Sequence, residues 1–126
     1  MLLLGWLSAL GAMAVLDVTW VLLNARCGLY KDRLAPGRSR LFVATAWLLM
    51  LAAEAGLVTF TTRCVSGLAS ATLAGALAGL TVYTVFNGTT LVMDATWTLS
   101  TALLDTCWGT SLLAVGALTA FAVDQM

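Results

Sequence analysis

The sequence predicts an all-α integral membrane protein, a four-helix transmembrane bundle with short loops. Two observations carry that expectation. Of the 126 residues, 61% are hydrophobic and only 10% charged, whereas soluble globular domains average about 45–50% apolar and about 25% charged residues. A soluble domain of this length buries too small a share of its surface to hide so many apolar side chains. The apolar residues also fall into four stretches of about 20 residues or more, and at a helical rise of about 1.5 Å each matches a hydrocarbon layer of roughly 30 Å. None alternates as a strand would, and backbone groups in lipid must be satisfied internally, so each stretch reads as a helix.

The first span covers residues 2–24 and is interrupted by Asp17. It lacks a basic leading region, and its apolar run exceeds the roughly 7–15 residues of a signal peptide core, so it reads as a retained helix. The second span covers 41–62 and holds Glu54 among Ala52, Ala53, Ala55 and Gly56. Those small neighbours imply a close helix contact, with Glu54 in a structural hydrogen bond nearer the far side of the layer. The third span covers 67–86 and carries no charge. Its Gly67, Ala71, Gly75 and Gly79 recur every four residues, a stripe that lets helix backbones approach closely within the bundle or against another subunit. The fourth span covers 99–123 and holds Asp105. All four form one transmembrane domain, residues 1–126.

Orientation follows from the basic residues. Arg26, Lys31, Arg33, Arg38 and Arg40 lie in the connection 25–40, with Pro36 and Gly37, and only Arg63 lies elsewhere. Short basic loops stay on the cytoplasmic side. The connection 25–40 is therefore expected there, or on the matrix or stromal side in an organelle, with both termini opposite. Asn87-Gly88-Thr89 fits a glycosylation sequon, but this topology puts it at the cytoplasmic end of the third helix, where no glycan is added.

Several function classes are excluded. Net charge is zero and no basic cluster alternates with aromatics, which argues against a nucleic-acid partner. Cys27, Cys64 and Cys107 are scattered and histidine is absent, so no disulfide framework, zinc or other transition-metal site, haem or other cofactor is expected, while carboxylates could still hold a hard cation. No phosphate loop, GxSxG elbow or HExxH occurs. The run TVYTVFNG lacks the GYG carbonyl ladder of a potassium filter.

Within so apolar a chain, the acids stand out. Leu16 to Trp20 reads LDVTW, and Leu104 to Trp108 reads LDTCW. Counted from the span ends, Asp17 and Asp105 both lie roughly 9–11 Å inside the cytoplasmic boundary at helical rise. The tryptophan three residues on falls near the same helix face as its aspartate. A third copy of the spacing, Asp94 to Trp97, precedes the fourth span. An ionised aspartate near a helix centre costs about 2.5–3.5 kcal/mol, so such residues face the bundle or a wet cavity. No Lys or Arg lies inside a span. The candidate partners are the indole N–H groups of Trp20 and Trp108, Tyr83, Asn87, the threonines, and the other acid. Two carboxyl groups at one depth without a cation share protons. Asp17, Trp20, Tyr83, Asn87, Asp105 and Trp108 thus compose a candidate buried polar site for protons or cations. The alternative is that each aspartate simply holds the helices in register.

These motifs resemble those of the domain-of-unknown-function family 2177, small four-helix bacterial-type membrane proteins. Leu16, Asp17 and Trp20 match its first element and Tyr30 the next, while Tyr83, Leu91, Trp97, Asp105, Trp108 and Gly109 match the later ones. The resemblance covers nearly the whole chain and implies the four-helix fold, but no activity. Three positions depart from it: Asn87 stands where the family usually has aspartate, Thr90 where it has asparagine, and Thr98 where it has proline.

Three functional readings follow. The first is a structural or accessory subunit of a larger membrane assembly, joined to other subunits or to itself through the third helix. The second is a small proton-coupled transporter using Asp17 and Asp105, similar in layout alone to the small multidrug-resistance exporters. The third is a lipid-binding or lipid-modifying protein acting at headgroup depth. No catalytic residue is assigned, and the lipid bilayer is the one expected environment common to all three.

Overall fold

The structure, a computed structural model, describes residues 2–27 and 37–126. Four helices follow one another: α1 (Leu2–Arg26), α2 (Arg40–Thr61), α3 (Leu68–Met93) and α4 (Leu99–Asp124), with one 3-10 turn, Thr62–Cys64, after α2. All four are long and apolar enough to cross a membrane, and no strand occurs among the described residues. The chain is an all-α, multi-pass integral membrane protein, as its composition predicts. Tyr30, Lys31, Arg33 and Pro36, used in the sequence reading, lie outside the described residues.

The third span departs most from its expected bounds. Its helix runs past Phe86 to Met93, although Asn87-Gly88-Thr89-Thr90 reads as a stop. The hydroxyls of Thr89 and Thr90 donate to the carbonyls of Val85 and Phe86, each at 2.8 Å. Their polar groups are thus satisfied one turn back, without leaving the helix. Thr19, Thr72 and Thr81 do the same on the outer surface. At the other end, Gly67 caps α3 with φ at 101°, a conformation open to glycine and strained for other residues.

Burial sets the layout. On α1 the buried residues are Gly5, Ala9, Met13 and Asp17, and on α3 they are Ala71, Gly75, Gly79, Tyr83 and Asn87. A repeat of four leaves each helix one narrow inward seam. By contrast, α4 is buried on a broad face that includes Asp105, Gly109, Leu112, Leu113, Gly116 and Ala117. It is the central helix. Both α3 and α1 pack chiefly on it, and they make no close backbone approach to each other. The ring is completed by α2, which touches all three. Large apolar side chains such as Leu3, Val15, Leu49, Phe60 and Val85 face outward, which lipid tolerates because its tails are as apolar as they are.

The small-residue stripe is filled from within the chain. A Cβ on Gly75 would meet the Leu113 carbonyl and Ala117, and one on Gly79 would meet the Gly109 carbonyl and Thr110. Gly67 takes no part, since nothing lies near its missing Cβ. The stripe of the third helix, expected to pack within the bundle or against another subunit, is thus occupied at Gly75 and Gly79 by α4. Away from that seam, the Trp6 indole donates to the Ala52 carbonyl at 3.0 Å and joins α1 to α2.

Candidate functional site

Asp17 continues the inward seam of α1 after Ala9 and Met13. Each of its oxygens takes one indole N–H: Oδ2 accepts from Trp47 Nε1 at 2.6 Å, and Oδ1 accepts from Trp108 Nε1 at 3.0 Å. One carboxyl group thereby ties α1 to both α2 and α4. Trp20 adds a ring contact to this pair. Its ring stacks on that of Trp108, with centroids 4.5 Å apart and planes 4° from parallel, so the Trp108 ring is held flat while its N–H edge meets Asp17.

Asn87 and Asp105 form a second cluster between α3 and α4. Asn87 Nδ2 donates to Asp105 Oδ2 at 2.9 Å, to the Tyr83 carbonyl at 2.9 Å and to Thr106 Oγ1 at 3.1 Å. Its Oδ1 accepts from Trp97 Nε1 at 3.0 Å. An indole N–H only donates, so the oxygen of the amide must face Trp97 and the nitrogen must face Asp105. Where the related pattern has aspartate, Asn87 offers Asp105 a donor that two facing carboxyl groups could supply only by sharing a proton. Thr98, at the usual proline position, is the N-cap of α4 and accepts from Thr101 N. Thr90 is half-buried, with its hydroxyl on the Phe86 carbonyl.

Between these clusters lies a cavity of about 370 Å³ lined by residues of all four helices, among them Asp17, Trp20, Glu54, Tyr83, Asp105 and Trp108. The six expected site residues therefore divide: five line the cavity, and Asn87 stands behind Asp105 holding it. The Tyr83 ring lies against Gly109, where any Cβ would collide with it, and Tyr83 lines the cavity together with Glu54. Among the described residues, no Lys or Arg lines the cavity. Val21, Met50 and Phe86 also line it and are about half-exposed on the bundle surface, so the cleft reaches the side of the molecule that faces lipid.

One acid stands elsewhere than the sequence suggested. Glu54, expected in a separate contact nearer the far side, lines the same cavity and is 7% exposed. Asp94, the third acid of the Asp-x-x-Trp spacing, lies in the α3–α4 connection, where the sequence placed it. Its Oδ1 accepts from Thr96 N and Thr96 Oγ1 at 2.8 and 2.7 Å. Trp97 does reach the cavity.

Sequence reasoning missed Trp47 and the place of Glu54. A signal existed: Trp47, Leu51, Glu54 and Val58 are spaced four, three and four apart, one helical face, and the last three are buried. No group of three or more His, Cys, Asp or Glu suited to hold a metal ion occurs among the described residues.

With this geometry, the chain was compared with known proteins. A family model described as predicted membrane protein (DUF2177) matches residues 2–122, a span that includes every residue of the cavity. No curated protein and no solved structure matches.

Proposed function

The chain belongs to the DUF2177 family of predicted membrane proteins, and on that footing we propose that it is a small carrier, binding its ligand in the acid and indole cavity in exchange for protons. One observation supports this above the others: three buried carboxyl groups, from three different helices, line one cavity that no Lys or Arg among the described residues lines. Holding three negative charges together at that depth is prohibitive. The assembly therefore carries protons until a ligand brings positive charge, and that is the elementary coupling a proton exchanger needs. A cavity of about 370 Å³ lies within the roughly 300–1,000 Å³ typical of small-molecule sites.

The accessory-subunit reading draws less support, because the stripe that suggested a partner is packed on α4 of the same chain. Lipid binding shares the laterally open cleft but leaves the clustered acids without a purpose. For sidedness we keep the positive-inside assignment, with the α1–α2 connection cytoplasmic.

Proteoliposomes holding a pH-sensitive dye test the carrier. Addition of a small organic cation should move protons across vesicles with the wild-type protein and not across those with Asp105→Asn or without protein. Wild-type vesicles that stay silent to cationic, neutral and anionic small molecules alike overturn the carrier and return the accessory reading.

A further inference from the structure

The acids of the cavity are not equivalent. Each oxygen of Asp17 takes an indole N–H, from Trp47 and from Trp108. Asp105 is held by Asn87, which Trp97 in turn fixes. Glu54 is 7% exposed and lines the same cavity, yet its Oε2 has no hydrogen-bond partner. A buried carboxyl oxygen with no donor costs free energy until a partner meets it. The other polar groups that line the cavity with it are Asp17 from α1, Tyr83 from α3 and Asp105 from α4. Two are further acids and the third is a phenol, so among the described residues no lining group offers Glu54 a positive charge. The remaining wall is aromatic and aliphatic: Trp20, Trp97, Trp108, Phe86, Val21, Met50 and Val82.

We propose that Glu54 is the ligand-gripping residue of the cavity and that the ligand is an organic ammonium ion with an apolar or aromatic body. The chemistry is complementary at each point. A carboxylate with an open oxygen pairs with the cationic head, the indole and phenol rings attract the same charge through their π faces, and Met50, Val21 and Phe86 receive the apolar body. In the empty site Glu54 is a neutral acid. When the ammonium ion enters, the Glu54 O–H bond breaks, the proton leaves to water, and the carboxylate and cation remain as a neutral pair, so charge balances throughout. Asp17 and Asp105, already bonded to the frame, are positioning residues.

This rests on the carrier reading for the route of entry, not for the binding itself, and the two fail separately. The test uses the whole protein in detergent micelles, following tryptophan fluorescence on titration with benzyltrimethylammonium and with its uncharged isostere neopentylbenzene. The cation should saturate the signal and release about one proton per site, while Glu54→Gln should weaken it at least about tenfold, as expected when one partner of a buried charge pair is removed. Glu54→Asp, which keeps the acid, should retain saturable binding with proton release. Circular dichroism identifies a variant that has lost its helices, and proton release by the wild type then decides alone. Equal binding of cation and isostere, unchanged binding in Glu54→Gln, or no proton release overturns the proposal. Cation binding in micelles with no proton movement in vesicles leaves Glu54 standing and removes the carrier; movement of another solute without cation binding does the reverse.

Discussion

Asp17 shows why a buried acid in a membrane helix is both a cost and a fastener. Its two indole bonds join three helices through one side chain. Interhelical hydrogen bonds in membranes are worth on average about 0.6 kcal/mol and at most about 1.7, so Trp47→Phe should lower stability by that order. Trp108→Phe should cost about as much, because phenylalanine keeps part of the stack on Trp20 while losing the N–H. Unfolding in mixed detergent micelles measures both. Half of this arrangement was legible in the chain: the LDVTW and LDTCW repeats brought Asp17, Trp20, Asp105 and Trp108 together on facing seams. Trp47 was overlooked, because no acid lies within a turn of it on α2 and its partner is 30 residues away, so only the helical face it shares with Leu51 and Glu54 marked it. Glu54 was misplaced for a different reason. Depth was counted along the helix, whereas the face it shares with Trp47 and Leu51 decides what it meets.

At the scale of the helices, close approach depends on a few missing side chains. Gly79→Ala would push a methyl group into the Gly109 carbonyl and Thr110 Cα of α4. Backbone cannot step aside as a side chain can, so a loss of about 1–3 kcal/mol is expected. Gly88 lies on the same helix with nothing within 4 Å of its missing Cβ. Gly88→Ala should therefore be neutral or stabilising by up to about 1 kcal/mol, and thermal unfolding of the pair side by side separates contact from propensity. Hydropathy made all four spans legible. It misjudged the end of α3, because composition counts the hydroxyls of Thr89 and Thr90 as polar, while in the helix they are spent on the Val85 and Phe86 carbonyls. The glycine stripe announced a contact, but spacing alone does not say whose helix fills it.

For the molecule as a whole, sidedness has its own test in the three cysteines. All are free and exposed, with Cys27 just beyond α1 at the end bearing the basic connection and Cys64 beyond α2 at the opposite end. Cys107 sits within α4 on the surface that lipid covers. With the α1–α2 connection inside, single-cysteine proteins in intact cells treated with a membrane-impermeant maleimide should label at Cys64 only. Labelling at Cys27 instead would invert the topology.

The central position of α4 has a consequence for how the protein is made. It is the last of the four helices in chain order, yet α1 and α3 both rest on it and scarcely meet without it. During synthesis Asp17 enters the bilayer before Trp108 exists, and Asn87 before Asp105. The earlier helices must wait as loosely associated, partly unsatisfied intermediates, and the bundle locks in one late event when its keystone is threaded between them.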